Sequence, residues 1–150
     1  MMTHKFYDTC SLLLKAGHIF DEEDTTIVIS SITLEELEYI KTSSKKDNDV
    51  KFSARKVTHE LEEHFGSYEV IIYVPSLLEY PPFSQMEVTN DLKIIACAFT
   101  AYELWNDLIF ITNDLCCKNL ALSILTCPVE KYEKDKYDYD GYKKIYLNND

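Results

Sequence analysis

The stretch LKIIACAFTAYELWNDLIFITNDLCCKNLALSIL occupies residues 92–125 and predicts a helix, a strand and a second helix in succession. Its first part has apolar residues at helical spacing, namely Leu92, Ile95, Ala96, Phe99 and Leu104. This pattern predicts a helix over 92–104. The apolar, β-branched run LIFIT at 108–112 predicts a strand, and a helical pattern follows over 115–125.

The same alternation extends through the rest of the chain. Short apolar runs predict three more strands, at 5–8, at 26–30 (TIVIS) and at 70–74 (VIIYV). Helical patterns predict helices at 9–16, 34–41 and 50–65. Strands that alternate with helices form a mostly parallel sheet with helices on both faces. The prediction is therefore an α/β fold, a three-layer α/β/α arrangement with a central, mainly parallel sheet.

The length of 150 residues predicts one domain spanning residues 1–150. Residues 42–49 (TSSKKDND) are polar and predict a mobile loop between two helices. The last segment, 130–150, is rich in tyrosine, with Tyr132, Tyr137, Tyr139, Tyr142 and Tyr146. We interpret it as a peripheral C-terminal extension that lays aromatic rings over the edge of the core. A row of base-stacking rings is the alternative, which the interleaved acids disfavour.

Charge and composition exclude several classes of protein. With 15 basic and 26 acidic residues, the net charge of −11 argues against a general nucleic-acid binder. No apolar run approaches the roughly 20 residues of a membrane helix, and the start MMTHKFYDTC has no signal-peptide core. Five cysteines without regular spacing fit reduced thiols and a cytoplasmic location. Glycine occurs only at 17, 66 and 141, which excludes a phosphate-binding glycine loop.

Four acidic residues fall at predicted strand ends or at the beginnings of helices. Asp8 and Asp114 each follow a strand and precede a helix, so both point to the crevice at the carboxyl ends of the strands. Glu36 lies one turn inside a helix, and Asp91 lies at the start of another. Each has a simpler explanation: Asp8 and Asp114 as N-caps, Thr33 with Glu36 as a capping box, and Asp91 as a partner of the helix dipole. Periodicity alone leaves both interpretations open.

Four motifs together resemble the PIN-domain family of nucleases: FYDTCSLL, ITLEELEYIK, TNDLKIIACA and IFITNDLCCKNLA, in that order. Within that family the sequence is most similar to the PIN domain at the N-terminus of PhoH-like proteins. The resemblance covers about residues 5–125, and no ATPase domain follows it here. Many relatives carry a further acid two or three positions after the fourth Asp, where this chain has Cys116 and Cys117.

The resemblance implies a metal-dependent phosphodiester hydrolase, a single-stranded RNA endonuclease that uses Mg²⁺ or Mn²⁺ and an activated water. The implied metal ligands and catalytic residues are Asp8, Glu36, Asp91 and Asp114. Hard divalent cations prefer such carboxylate oxygens, and a cation would relieve the repulsion among four like charges. Supporting contacts to these ligands are expected from Thr9, Thr112 and Asn113.

A cluster of basic residues flanks the 42–49 loop and is the candidate RNA-binding surface. Its members are Lys41, Lys45, Lys46, Lys51, Arg55 and Lys56. A solvated helix face explains these residues equally well, since lysines are ordinary on protein surfaces. If the acids are concentrated at a cation site, the charge argument still excludes tight binding to duplexes but leaves room for a metal-bridged single strand.

Three hypotheses follow from the resemblance. The first is the ribonuclease itself. The second is the same enzyme as the toxin of a toxin–antitoxin pair, similar to VapC-type PIN proteins and held by an antitoxin-like inhibitor. The third is a non-catalytic PIN-like interaction module whose acids only cap helices. Family members often form dimers, so a homodimer is also expected.

Overall fold

The computed structural model describes residues 2–133, which contain a parallel sheet of five strands in the order β3-β2-β1-β4-β5. The strands are β1 (Thr3–Tyr7), β2 (Thr25–Ser30), β3 (Tyr68–Ile71), β4 (Ile109–Ile111) and β5 (Val129–Glu130). All four pairs of neighbours are parallel. The predicted α/β class with a mainly parallel sheet is confirmed.

Strand β1 lies at the centre, paired with β2 on one side and with β4 on the other. From β1 the chain builds outward through β2 to β3, and it then returns to add β4 and β5 beyond the other edge of β1. The order of strands therefore reverses between β1 and β4. In open α/β sheets, ligands bind at such a switch point, outside the carboxyl ends of the strands.

Five helices connect and cover the strands. They are α1 (Thr9–Lys15), α2 (Ser31–Thr42), α3 (Asn48–Glu63), α4 (Asn90–Leu104) and α5 (Leu115–Ile124), with short 3₁₀ turns at Ala16–His18, Pro75–Leu78 and Phe83–Gln85. One buried cluster joins the sheet to α1, α2 and α3, and the other joins it to α4 and α5. The three-layer prediction is thereby confirmed. None of the helices between residues 2 and 133 is long and apolar enough to cross a membrane.

Successive residues of the central strands supply the two clusters in turn. In β1, Phe6 packs with the α4 and α5 layer, whereas Tyr7 packs with the other layer. Phe110 and Ile111 of β4 divide in the same way. Because both faces are buried, these strands appear in the sequence as uninterrupted apolar runs instead of alternating patterns.

The predicted strand at 70–74 is wrong at its end. β3 covers Tyr68–Ile71, and its last pair joins Ile71 to Ser30, the final residue of β2. No residue of β2 is left to pair with Ile72, because α2 begins directly after Ser30. Ile72 and Val74 are consequently exposed, although they continue the apolar run.

The beginning of α2 also differs from the prediction of 34–41. Ser30 is the N-cap, and its hydroxyl accepts a hydrogen bond from the Ile32 amide. The capping box proposed for Thr33 and Glu36 is therefore wrong, since Thr33 lies inside the helix and is fully buried.

The loop predicted at 42–49 is shorter and covers only residues 43–47, because Asp47 caps α3 at the Val50 amide. The two-residue strand β5 has no counterpart in the prediction, and the other predicted boundaries agree with the structure to within two residues. Most of the Tyr-rich extension, including Tyr137, Tyr139, Tyr142 and Tyr146, lies outside the described residues.

Candidate metal centre and active site

Asp8 lies directly after β1, at the switch point of the sheet, and its side chain is only 3% exposed. It is the N-cap of α1, with Oδ1 accepting a hydrogen bond from the Ser11 amide at 2.9 Å. Oδ2 accepts a hydrogen bond from the Thr112 hydroxyl. The predicted cap is confirmed, and it leaves lone pairs on both carboxylate oxygens, because each oxygen can accept more than one bond.

Asp114 occupies the equivalent position after β4. It is the N-cap of α5, and its Oδ1 accepts a hydrogen bond from the Cys117 amide at 2.8 Å. Its own amide donates to Thr112 Oγ1 at 3.2 Å. The Thr112 hydroxyl therefore links the Asp8 carboxylate to the Asp114 backbone, and it fixes the two strand ends relative to each other.

Glu36 reaches the same region from α2. The Thr9 hydroxyl donates to Glu36 Oε1 at 2.7 Å, and it also lies 3.0 Å from the Thr33 hydroxyl. Because a hydroxyl has one proton, Thr9 can donate to Glu36 while it accepts from Thr33. Thr9 and Thr33 are both buried, so the hydrogen bond from Thr9 fixes the orientation of the partly exposed Glu36 carboxylate, and Thr33 in turn fixes Thr9.

Asp91 lies in the first turn of α4 and is partly buried. Unlike the side chains of the other three acids, the Asp91 carboxylate has no hydrogen-bond or ion-pair partner among residues 2–133. Burial raises the pKa of the Asp91 carboxyl most, and the negative charges of Asp114, Asp8 and Glu36 raise it further. The other three acids therefore act electrostatically on Asp91, which is the acid without a compensating contact.

These four side chains line one cleft of about 220 Å³. The other residues of its lining are Thr9, Cys10, Leu13 and Ile94. Burial raises the pKa of the Cys10 thiol, and three of the acids raise it further. Burial also raises the pKa of Cys117, which is buried in the first turn of α5, and the negative charges of Asp8, Asp91 and Asp114 raise it further. Both thiols therefore stay protonated at neutral pH, and their raised pKa values reflect the negative charge of the nearby acids.

The donor set fits a hard divalent cation, because it consists of carboxylate and hydroxyl oxygens with uncompensated negative charge. Within the described part of the chain, no group of three or more acidic, histidine or cysteine side chains has an arrangement that could hold a metal ion. A cation in this cleft would therefore have to be held partly through its own waters, as Mg²⁺ commonly is. The carboxylates that such an ion could reach from the cleft are those of Asp8, Glu36, Asp91 and Asp114.

Asn113 is turned away from the carboxylates. Its side-chain amide donates to the Tyr132 carbonyl at 2.7 Å and accepts from the Tyr132 amide at 3.0 Å. Its Oδ1 also accepts from the Ser11 hydroxyl at 3.1 Å. Of the three supporting residues expected from the sequence, Thr9 and Thr112 contact the acids, whereas Asn113 ties the segment after β5 to α1.

The predicted basic cluster is divided among different surfaces. Lys46 lines a groove of about 360 Å³ together with Glu36 and Asn90, next to the carboxylates. Lys41 pairs with Glu38 at 3.2 Å. Arg55 and Lys56 line a separate depression, in which the Lys56 ammonium lies 5.3 Å from the Phe52 ring centroid.

The two remaining members, Lys45 and Lys51, do not line the groove beside Glu36. Lys45 is exposed and Lys51 is partly buried. From the predicted set, only Lys46 is brought to the acids.

A larger cavity, of about 490 Å³, was not predicted. Lys15 lines it and is 5% exposed, with its ammonium 3.3 Å from the Tyr7 hydroxyl and 3.7 Å from Glu22 Oε2. Burial lowers the pKa of Lys15, and Glu22 partly offsets that effect. Lysines at the end of a helix are usually exposed, and only the helical spacing of Lys15 from buried Leu12 could have indicated its position.

The fold brings four acids together at the switch point of a parallel sheet, and the sequence assigns the chain to a family. The sequence model of the family described as "PIN domain" matches residues 6–132. The chain therefore belongs to the PIN-domain family, whose members are generally metal-dependent nucleases. The closer likeness to PhoH-like proteins stays a prediction, and among curated proteins none has a matching sequence.

Two solved structures share the fold. One is VapBC2 from Rickettsia felis bound to a DNA fragment from its promoter, with 19% identity, a TM-score of 0.51, and coverage of 87% of this chain and 100% of that chain. The other is a domain of a functionally unknown protein from Methanocaldococcus jannaschii, with 17% identity, a TM-score of 0.56, and coverage of 89% and 94%. At these identities the likeness shows the fold.

Proposed function

We propose that this protein is an endoribonuclease that cuts single-stranded RNA with the help of Mg²⁺ or Mn²⁺. The observation that carries the proposal is the convergence of Asp8, Glu36, Asp91 and Asp114 on one cleft at the switch point of the sheet. The parallel sheet brings the caps Asp8 and Asp114 to one edge in any case, but Glu36 and Asp91 are not helix caps and reach the same cleft. The raised pKa of Asp91 reflects, besides burial, a repulsion that a cation would relieve.

In this proposal Asp8, Asp91 and Asp114 share one role and Glu36 has a second. Asp8, Asp91 and Asp114 hold the cation directly or through water, and Glu36 is either a ligand or orients the attacking water. When bound, the cation would supply Lewis-acid stabilisation of the phosphate oxygens and activation of that water. Thr9 keeps the Glu36 carboxylate in position, and Thr112 does the same for Asp8.

Charge supports a single strand as the substrate. Binding to a duplex needs contacts between basic residues and many phosphates, which the net charge of −11 opposes. Only one lysine of the basic cluster lies beside the acids. A single strand can present one phosphate to the cleft with its bases unstacked.

The test compares cleavage of single- and double-stranded RNA and DNA with Mn²⁺, with Mg²⁺ and with chelator. We expect cutting of single-stranded RNA that stops in chelator and is lost in Asp91→Asn. Asp49→Asn is the matched control, because Asn48-Asp49 begins α3 as Asn90-Asp91 begins α4, but Asp49 is exposed and does not line the cleft. Asp91→Asn that cuts as fast as the parent would refute the proposal.

The second candidate has the same chemistry in a different setting, as the toxin of a toxin–antitoxin pair. The fold shared with the VapBC2 structure favours it. An antitoxin reading frame beside the gene and growth arrest on induced expression would support this setting. Growth that is unaffected by expression of an active enzyme would count against it. A homodimer is proposed in either setting, and size-exclusion chromatography with light scattering tests it.

A further inference from the structure

The groove beside the carboxylate cleft contains an exposed aromatic ring that the proposed chemistry does not use. The groove has a volume of about 360 Å³ and shares Glu36 with the cleft. Glu35, Tyr39, Lys46 and Asn90 also line it, and the buried side chain of Ile40 forms part of its floor. Its size is at the lower end of the roughly 300–1,000 Å³ that small-molecule sites have.

The groove has five polar residues, of which Glu36 accepts a hydrogen bond from Thr9, whereas the side chains of Glu35, Tyr39, Lys46 and Asn90 have no hydrogen bond or ion pair within residues 2–133. Tyr39 is 56% exposed, and Phe52, Phe65 and Tyr80 are exposed to a similar or greater extent. Within residues 2–133, the Tyr39 ring has no aromatic neighbour and Lys46 has no ion pair. Asn90 directly precedes Asp91 at the start of α4, which places an amide side chain next to the acids.

We propose that this groove binds the nucleotide next to the phosphodiester bond that is cut. The Tyr39 ring stacks on the base, Lys46 contacts a phosphate and Asn90 hydrogen-bonds to the edge of the base. The proposal rests on the proposed function and adds the part of the substrate that is recognised. Glu36 and Tyr39 are three residues apart on α2, so they share one helix face and join the two sites.

The geometry favours a single-stranded substrate. A base can stack on Tyr39 only after it has left its own stack and its pairing partner. Stacking on one ring tolerates every base, because each has a π face. A single lysine gives little electrostatic affinity, so the stack and the bound cation hold the strand in this acidic chain.

The test uses a short fluorescent oligouridine RNA that carries one 5-iodouridine, with Ca²⁺ as an oxygen-binding cation. Binding is measured by anisotropy, and irradiation followed by mass spectrometry locates the cross-link. We expect the cross-link at Tyr39. Tyr39→Ala should weaken binding roughly 5- to 150-fold, the range for one lost stack, and Tyr39→Phe should stay within about twofold of the parent.

Two matched controls separate the groove from general surface effects. Tyr80→Ala removes another exposed ring, 74% exposed, and should not change binding. Lys46→Ala should reduce the slope of log affinity against log salt by about 0.7, the value for one phosphate contact on a single strand. Lys131→Ala removes an exposed charge beside the Lys15 cavity and should leave the slope unchanged.

The outcomes distinguish this proposal from the proposed function. If the parent cuts RNA but Tyr39→Ala binds as well as Tyr39→Phe, the groove proposal is overturned and the nuclease stands. A cross-link that maps to the Phe52 depression instead of Tyr39 has the same meaning. If the parent neither binds nor cuts any single strand, both proposals fail.

Discussion

Replacing Thr112 by valine tests whether the two strand-end acids are held as one unit. The Thr112 side chain is 1% exposed, and its hydroxyl donates to Asp8 Oδ2 and accepts from the Asp114 amide. Valine has nearly the same shape but no hydroxyl. Thr112→Val therefore leaves one oxygen of a buried carboxylate and one backbone amide without their partners.

The expected loss of stability follows from these two bonds. A hydrogen bond to a charged group contributes about 1.5–3 kcal/mol, and a neutral one contributes about 1 kcal/mol. The sum predicts that Thr112→Val lowers the free energy of unfolding by about 2.5–4 kcal/mol. For a chain of this length, about 2–4 °C of Tm corresponds to each kcal/mol, so Tm should fall by roughly 5–15 °C.

Urea and thermal unfolding followed by circular dichroism measure this effect. Thr112→Ser is the matched control, because it keeps the hydroxyl and loses only a methyl group, which costs about 1 kcal/mol. Cleavage by Thr112→Val should also fall more than cleavage by Thr112→Ser, since Asp8 loses its fixed orientation. If the valine variant is as stable as the serine variant, the link through Thr112 does not hold the two acids.

Other predictions concern Asp91, Lys15 and Asn113. Without metal, Asp91→Asn should raise Tm at pH 7, because it removes a partly buried negative charge that Asp114, Asp8 and Glu36 repel. The pKa of Asp91 is raised in the folded state, so its ionised carboxylate lowers the free energy of unfolding at pH values above that raised pKa. The gain in Tm should therefore vanish as the pH falls below 3.8, the ordinary pKa of the side chain. Asp49→Asn should show no gain in thermal melts. Lys15→Met should change the unfolding free energy measured in urea by less than about 1 kcal/mol, because the remaining charge of Glu22 is partly exposed and keeps its contact with Lys5 at 2.6 Å, while methionine has a similar size to lysine. Lys15→Ala should lose about 2–4 kcal/mol. Asn113→Leu removes the bonds to Tyr132 and should speed limited proteolysis after Val129.

The parts of the fold that the sequence predicted are those in which local pattern and tertiary structure agree. The runs around Phe6, Val28 and Phe110 are buried on both faces, so their apolar character alone indicates parallel strands. An acid that follows such a strand and precedes a helix must lie at the carboxyl edge of the sheet. The positions of Asp8 and Asp114 could be predicted for that reason.

The errors occur where the decision depends on a distant partner. Ile72 and Val74 resemble strand residues, but β2 ends too early to pair with them. Ser30 and Thr33 are both good N-caps by type, and the choice falls on Ser30 because Thr33 is needed in the buried contact with Thr9. Lys15 is buried only because Tyr7 and Glu22 surround its ammonium, and no local pattern encodes that arrangement.

The central claim is that the four carboxylates form a cation site, and titration of Mn²⁺ into the metal-free protein by calorimetry tests it most directly. We predict binding by the parent and by Asp49→Asn, with the heat lost in Asp91→Asn although that variant is folded and at least as stable. No binding by the parent at millimolar Mn²⁺, or equal binding by Asp91→Asn, would contradict the claim and favour a non-catalytic module whose acids only cap helices.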